Sequence, residues 1–515
     1  MENKENLKHI PKEKFELVQF DDRIFDAKFE TKPISYLQDA WMRFKRNKAS
    51  LAASYIILAI ILYGILVPFF SKYTLSYSDA VYAKARPKLQ MFDGSGFWDG
   101  SKVMKYNDRY LIHTVGIGYG IANNDGEKKL TYDEAFDASP VISMGPEYRD
   151  HRNRYRKTKI DSYRTVGFIF LNVTKEEYDK IVAWEKENNK QILYPMIDHK
   201  HEFASSDESD ANICYLVDEK DNPVDVDGNS LSLEEVQKKG FVDNYLRDEN
   251  GNAVYHVPKD KTMIGIRVLY YNYYQMVNGF EPANAFGVDG QGFDIMVRMA
   301  HSVRLSLALA IFVSVINFIL GSIYGSVAGF YGGWIDLILE RITDILGGIP
   351  FLIVATLFQL YLVQTGKVST FAGILFAFVL TGWIGVGYSV RTQFYRFKNQ
   401  EYILAARTLG AHDFRLMFKH IYPNAIGTII TRSALVIPGV ILSESSLSYL
   451  GIISFHGKDM ASLGTMLGSG QTYLSTDPHI LFFPATVISL MMISFNLFGN
   501  GLRDAFNPSL RGVED

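Results

Sequence analysis

The chain has 515 residues, a net charge of −3 and a single cysteine, Cys214. The near-neutral charge excludes general nucleic-acid binding, and the lone cysteine excludes an intrachain disulfide and a cysteine-based metal site. Mean hydropathy is near zero, but that average joins polar ends and a polar middle to long uncharged runs.

Residues 1–48 read as a cytoplasmic tail, loosely ordered over 1–30. No apolar run precedes Lys48, so no signal peptide is expected and the first membrane helix must target the chain. Within this tail, Tyr36–Asn47 has the spacing of an amphipathic helix, with Leu37, Ala40, Trp41 and Phe44 on one face. Such a helix either lies on the inner membrane surface or packs on a bundle. Ala49–Phe70 carries no charge and is long enough to span a bilayer, giving a first transmembrane helix over 49–71. The bases at 43–48 put its start in the cytoplasm.

Residues 72–290 are polar and carry soluble-domain signals. Thr165–Leu171 and Gln191–Tyr194 read as strands. Thr174-x-x-Glu177 is a capping box that opens a helix to about Glu187. Ser232-x-x-Glu235 caps a shorter helix, and Asn123–Gly126 and Asp248–Gly251 are turns. Asp225–Asn229 lacks EF-hand spacing and reads as a β-turn rather than a calcium loop. Asn172-Val-Thr174 matches a glycosylation sequon, although Thr174 already has a capping role. Tyr270–Tyr274 is core, a membrane-interface belt or a peptide-contact surface. Together these signals predict an extracytoplasmic α+β domain.

Five more apolar runs follow: Leu305–Trp334, Ile345–Gly366 broken by Pro350, Val368–Val390, Ala425–Leu442 and Ile480–Leu502. The predicted fold class is an α-helical integral membrane protein of six transmembrane helices, with the α+β domain between the first two. A five-helix core covers 291–505, and 506–515 is a cytoplasmic C-terminus. Counting from an inside start puts 335–341 and 391–423 in the cytoplasm and 364–369 and 451–478 outside. The six bases in 391–423 agree with that orientation.

The 391–423 loop holds the strongest candidate site. Glu401–Gly410 is a polar helix former in which Ala405 and Ala406 expose little side chain. Gly410 stops the helix by accepting the left-handed conformation, and Pro423 opens the next. The segment is an ordinary loop helix or a docking helix for a cytoplasmic partner. No Gly-x4-Gly-Lys-Ser/Thr phosphate loop occurs in the chain, and no hydrolase motif. The chain is therefore not expected to be an enzyme. Pro350 and Pro438 can kink spans. Glu444, just beyond the fifth run, is a functional or structural acid near the outer boundary, with Ser443 and Ser445 as hydrogen-bond partners. Arg432 snorkels or pairs within the bundle. Asn317 and Asn496 are candidates for hydrogen bonds between spans.

The Ala405-Ala406 pair, the Gly four residues on and Ile421-x-Pro423 resemble the coupling-helix motif of binding-protein-dependent ABC importers. Leu404 stands where that motif has Glu, and Glu401 lies one turn earlier. Gly287–Asp294, Gly329–Asp336, Leu442–Gly451, Ser462–Leu467 and Asn496–Pro508 resemble further motifs of dipeptide/oligopeptide importer permeases, in the same order. Val288 and Phe293 depart from the first. Over 33–71 and 286–512 the chain is similar to the second, C-type permease. The resemblance implies a heterodimer with a second permease, two cytoplasmic ATPases that carry ATP and magnesium, and an extracytoplasmic peptide-binding protein. It also implies no cofactor or metal on this chain, no nucleic-acid partner and a setting among membrane lipids of a bacterial plasma membrane, both termini inside. Glu401, Tyr402, Ala405, Ala406, Arg407 and Gly410 are the expected ATPase-coupling residues. Glu444, Ser445, Asn317, Pro438 and Asn496 are the candidates for the translocation path or gate. Importers of the same family for nickel or other small solutes, and a membrane sensor with an outer ligand domain, are the alternatives.

Overall fold

The computed structural model describes residues 36–107, 139–150, 153–194 and 263–506 apart from 454 and 456–459. Shorter pieces are described between 110 and 117 and between 216 and 256. The predicted features at 123–126, 225–229, 232–240 and 248–251 lie outside the described residues.

Among the described residues, five helical runs are long and apolar enough to cross a membrane, and a bent helix pair makes a sixth if it counts as one span. The protein is a multi-pass membrane protein built mostly of helices. Helix α1 (Tyr36–Arg46) precedes α2 (Lys48–Phe70), which Asn47 caps by accepting from the Ser50 N–H at 3.2 Å. Ala40 and Phe44 of α1 are buried against Phe498, Leu502 and Ala505, whereas Trp41 faces outward at 55 % exposure. The apolar face of α1 is thus shared between the bundle and its surroundings.

Among the described residues, helices α3 (Lys175–Asn188) and α4 (Tyr270–Asn278) lie in the region between the first two spans. The second span, α5 (Ile295–Tyr331), has 37 residues. At 1.5 Å per residue it is about 55 Å long, well beyond the hydrocarbon layer. It is followed by α6 (Gly333–Gly347) and α7 (Phe351–Phe358), then α8 (Thr370–Gly382), α9 (Ile384–Phe397) and the short α10 (Glu401–Thr408). Last come α11 (Tyr422–Ala434), α12 (Val436–Tyr449), α13 (Leu463–Gln471) and α14 (His479–Phe506).

The closest helix contact joins α5 to α9. Gly321, Gly325 and Gly329 recur one turn apart on α5, the small-residue spacing that lets backbones approach in a membrane. A Cβ at Gly325 would lie 2.7 Å from Val390 Cβ and 2.9 Å from the Arg391 nitrogen. One at Gly329 would lie 2.6 Å from Phe394 Cβ.

One sequence expectation is corrected. The 335–341 segment, expected as a cytoplasmic connection, is helical in α6, which with the α7 arm to Val363 makes a helix pair bent by 71° around Pro350. The charges that suggested a loop are satisfied within the fold, with Asp336 paired to Arg391 and Arg341 to Asp344. Pro423 opens α11 as its second residue, as expected, although a π-type turn at Leu416–Ile421 leads straight into it, with the Tyr422 N–H reaching Met417 O, so that the helical run extends from Asp413 to Tyr449. Glu444 lies within α12, past the end of the predicted apolar run. Pro438 does mark a break: α11 ends at Ala434, whose carbonyl the missing proline N–H would have met.

Among the described residues, ten strands lie between α2 and α5. Those of the larger sheets are β1 (Ser101–Tyr106), β2 (Val141–Asp150), β3 (Asn153–Asp161), β4 (Phe168–Val173), β5 (Leu193–Tyr194), β8 (Tyr245–Arg247), β9 (Ala253–His256) and β10 (Ile264–Leu269); β6 (Leu216–Val217) and β7 (Pro223–Val224) pair with each other. One sheet has the order β1-β3-β2; the other runs β4-β10-β9-β8 with β5 also on β10. The predicted capping box at Thr174 and Glu177 is present and starts α3. The predicted strand at 165–171 begins later, at Phe168, since Arg164–Val166 forms a 3-10 turn. The tyrosine run forms α4, and Tyr270, Tyr271 and Tyr274 are buried with Tyr82 and Tyr163, which makes it core.

The inserted region is bonded to the starts of two spans. Asp294 caps α5 through the Val297 N–H at 2.7 Å and accepts from Asn284 Nδ2 at 2.8 Å. Burial pushes the Asp294 carboxyl up to about 6, against those bonds. The Tyr163 hydroxyl bonds Asn284 and the Arg86 carbonyl, and Lys88, buried, donates to Asp161 at 3.0 Å. Before α14, Asp477 receives Lys102 at 2.6 Å. Burial raises its carboxyl, but Lys102, Thr476 and Arg86 outweigh that and hold it below its usual range. Phe286 stacks on Phe483 at 4.4 Å.

Overpacking of the glycine seam tests this arrangement. Gly325→Ala is expected to destabilise the protein by about 1–3 kcal/mol, read as a lowered melting temperature in detergent. Gly385→Ala, where an added Cβ meets nothing within 4 Å, is expected to melt with the wild type.

Candidate coupling site

Helix α10 is held to the bundle mainly by one side chain. Ile403 is fully buried among Phe330, Val386, Phe394, Leu416 and Ile421. Burial of such a residue contributes about 1.5–3 kcal/mol. Ala406 is half-buried beside it. Glu401, Leu404, Ala405 and Arg407 are exposed, as are Tyr402 and, at 89 %, Leu409. The Tyr402 hydroxyl accepts from Asn424 Nδ2 at 3.3 Å, and burial raises its pKa. Arg407 lies over the Phe330 ring at 5.8 Å.

The end of α10 is a Schellman motif. The Gly410 N–H donates to Arg407 O and the Ala411 N–H to Ala406 O, with Gly410 at φ +86°. Glycine is required there because an L side chain is strained at that φ. The six residues expected at this site thus share one protruding helix and its cap.

Sequence reasoning missed what braces that helix. Arg391, on α9 just before α10, donates to both Asp336 oxygens, at 2.6 and 2.7 Å, and to both Glu340 oxygens, at 3.2 and 3.3 Å. Tyr395 also donates its hydroxyl to Asp336. Forked pairing of this kind fixes orientation as well as distance. Lys398 donates to the Gly329 carbonyl at 2.9 Å at the end of α5, where a cation suits the helix dipole. Burial lowers the Lys398 pKa. The signal in the sequence was a pair of acids at 336 and 340, one turn apart and in reach of a single base, but they lay in a segment read as a loop.

The path candidates do not form one cluster. Glu444, 1 % exposed, accepts from Ser306 Oγ at 3.2 Å and Ser448 Oγ at 3.0 Å, so it joins α5 to α12. Ser445 and Pro438 are buried on the same helix. Asn317 is buried on α5 against Gly382 of α8, with no hydrogen-bond partner for its side-chain amide among the described residues. Asn496 is exposed and donates to Met492 O of its own helix, so it makes no bond between spans. Arg432 is exposed on α11.

Two family profiles match the chain. Residues 321–512 match the binding-protein-dependent transport system inner membrane component, and residues 35–87 match the N-terminal transmembrane domain of oligopeptide transport permease C. The chain is 42 % identical over 226 residues to the oligopeptide transport system permease protein OppC of Bacillus subtilis, which covers 44 % of this chain and 72 % of that protein. It is 42 % identical over 227 residues to the dipeptide transport system permease protein DppC of the same organism, covering 44 % and 69 %. The chain belongs to the binding-protein-dependent transport system inner membrane component family. It is a multi-pass permease subunit of the plasma membrane. Permeases of this family work with ATPase subunits and a second permease. The protruding α10 and its brace both fall within the segment matched by the first profile.

The brace is open to a double-mutant cycle. Asp336→Asn and Arg391→Lys are each expected to destabilise the solubilised permease. Their coupling energy should be about 1.5–3 kcal/mol, the scale of hydrogen bonds to charged groups. Additive losses in chemical denaturation would mean that the pair does not act as a unit.

Proposed function

We propose that this permease moves oligopeptides inward across the plasma membrane by alternating access, driven by two cytoplasmic ATPases that engage it through the 401–423 loop. The observation that carries the reading is α10 itself: a short helix with one buried anchor, Ile403, and an otherwise exposed surface ending in Leu409. The names of the curated relatives support a peptide substrate. ATP binding closes the ATPases, α10 moves with them, and the Arg391 brace passes that motion to α5 and α6. Hydrolysis resets the bundle. ATP and magnesium reside in the partners. Glu401, Tyr402, Ala405, Ala406, Arg407 and Gly410 form the contact surface, and the exposed Leu404 gives it an apolar contact in place of an acidic one. Glu444, Ser445 and Pro438, on α12, and Asn317, on α5, are gate candidates. Asn496 is a weaker one, since it faces away from the bundle.

In this reading both termini are cytoplasmic and the inserted region is extracytoplasmic. There it docks the peptide-binding protein or the outer face of the second permease. Its attachment to the starts of α5 and α14 supports a rigid platform at the mouth.

ATP-dependent uptake of labelled peptides in cells tests the lever. Ala405→Glu with Gly410→Pro is expected to abolish uptake and ATPase association while the protein still inserts at wild-type levels. Unchanged uptake would remove the 401–423 loop as the coupling element. For the platform, Val103 and Lys159 are paired across β1 and β3, so residues 104–158 are replaceable by a short Gly/Ser linker. That variant is expected to insert normally and lose binding-protein association. Retained association and full uptake would sink the docking role.

A further inference from the structure

His301 and Arg304 lie three residues apart on α5, so their side chains share a face. With Leu75, Leu305, Met460 and Ala461 they line a cavity of about 340 Å³ at the end of the bundle nearest the inserted region. The stem of Arg304 is set in place by α2: at Gly64 an added Cβ would come within 3.3 Å of Arg304 Cγ. Its Nη2 lies 2.8 Å from Nδ1 and 3.1 Å from Nε2 of His301. One guanidinium N–H donates to one ring nitrogen, and the remaining guanidinium N–H groups are unspent. Arg304 makes no ion pair among the described residues, and no described residue lining the cavity is acidic. Among the described residues that guanidinium has no carboxylate partner, which makes it a candidate receptor for an anion.

The surroundings say which anion. Further along α5, away from the inserted region, Ile311, Phe312 and Val315 are half exposed. An apolar strip thus runs from the cavity along α5, with the cation at one end of it. That is the polarity of a phospholipid: a headgroup phosphate against Arg304 and hydrocarbon against the strip. We propose that the His301–Arg304 cavity binds the phosphate headgroup of a membrane phospholipid, with its acyl chains along α5. The inference stands apart from the peptide reading, since it needs no transported substrate.

The test is lipid retention by the full chain, purified in dodecyl maltoside and examined by native mass spectrometry. The probes are dioleoylphosphatidylglycerol and dioleoylglycerol, which share acyl chains and differ in the phosphate. The phospholipid is expected to bind more tightly by about tenfold or more, the weight of a charge-assisted hydrogen bond. Arg304→Gln should remove that preference and Arg304→Lys should keep most of it. Should Arg304→Gln fail to insert, Met460→Trp fills the cavity from its exposed rim and should remove the preference too. Equal retention of both lipids by the wild type, or a preference that survives Arg304→Gln and Met460→Trp, would overturn the proposal. Displacement of the phospholipid by a tripeptide with a free C-terminus, but not by its C-terminal amide, would also overturn it, by assigning the cavity to a peptide carboxylate.

Discussion

The contact between α5 and α9 sets the geometry of everything at the α10 end of the bundle. Three glycines one turn apart remove the side chains that would hold two helices apart, so backbone meets backbone over two turns. That closeness is what brings Arg391 within reach of Asp336 and Glu340, and Lys398 within reach of the last carbonyls of α5. The ion pair and the glycine seam are therefore one device. The seam fixes the distance between the helices, and the forked guanidinium fixes their rotation. Helix α10 begins four residues after Phe397 and returns its single anchor, Ile403, to a pocket made by those two helices with Leu416 and Ile421. A displacement of α10 has few ways to be absorbed locally, because each element that could absorb it is pinned to its neighbour.

The opposite end is arranged by different chemistry. There the contacts are polar side chains and aromatic rings rather than glycines. Asn284, Tyr163, Asp161 and Lys88 form a buried chain from the cap of α5 into the inserted region. Lys102 and Asp477 make a second attachment before α14. Buried networks of this kind are rigid when their members are satisfied. A region of two sheets can thus sit on the span ends as a fixed body instead of hanging from two flexible strands.

Much of this was legible in the sequence. Long apolar runs, all but the fifth uncharged, announced the spans, and Thr174 with Glu177 announced α3, because both signals are local. Helix α10 and its stop at Gly410 were also local. What the sequence hid depended on distance partners. Asp336 and Glu340 looked like loop charges because the base that neutralises them lies some fifty residues away. The tie from Glu444 to α5 was hidden because nothing near it in sequence reveals Ser306 on another span. Asn496 was expected to reach a neighbouring span, but an asparagine on a helix can bond its own turn as readily as a neighbour, and here it does.

The exposed surface around α10 has a consequence for the subunit by itself. Leu404, Leu409 and Phe414 present bare hydrocarbon on a part of the protein that emerges from the bundle, and only Ile403 is tucked away. Apolar clusters of that kind adhere to whatever apolar surface they meet. A lone copy is therefore a sticky object on that side, and its good behaviour in water there belongs to the finished assembly rather than to the chain.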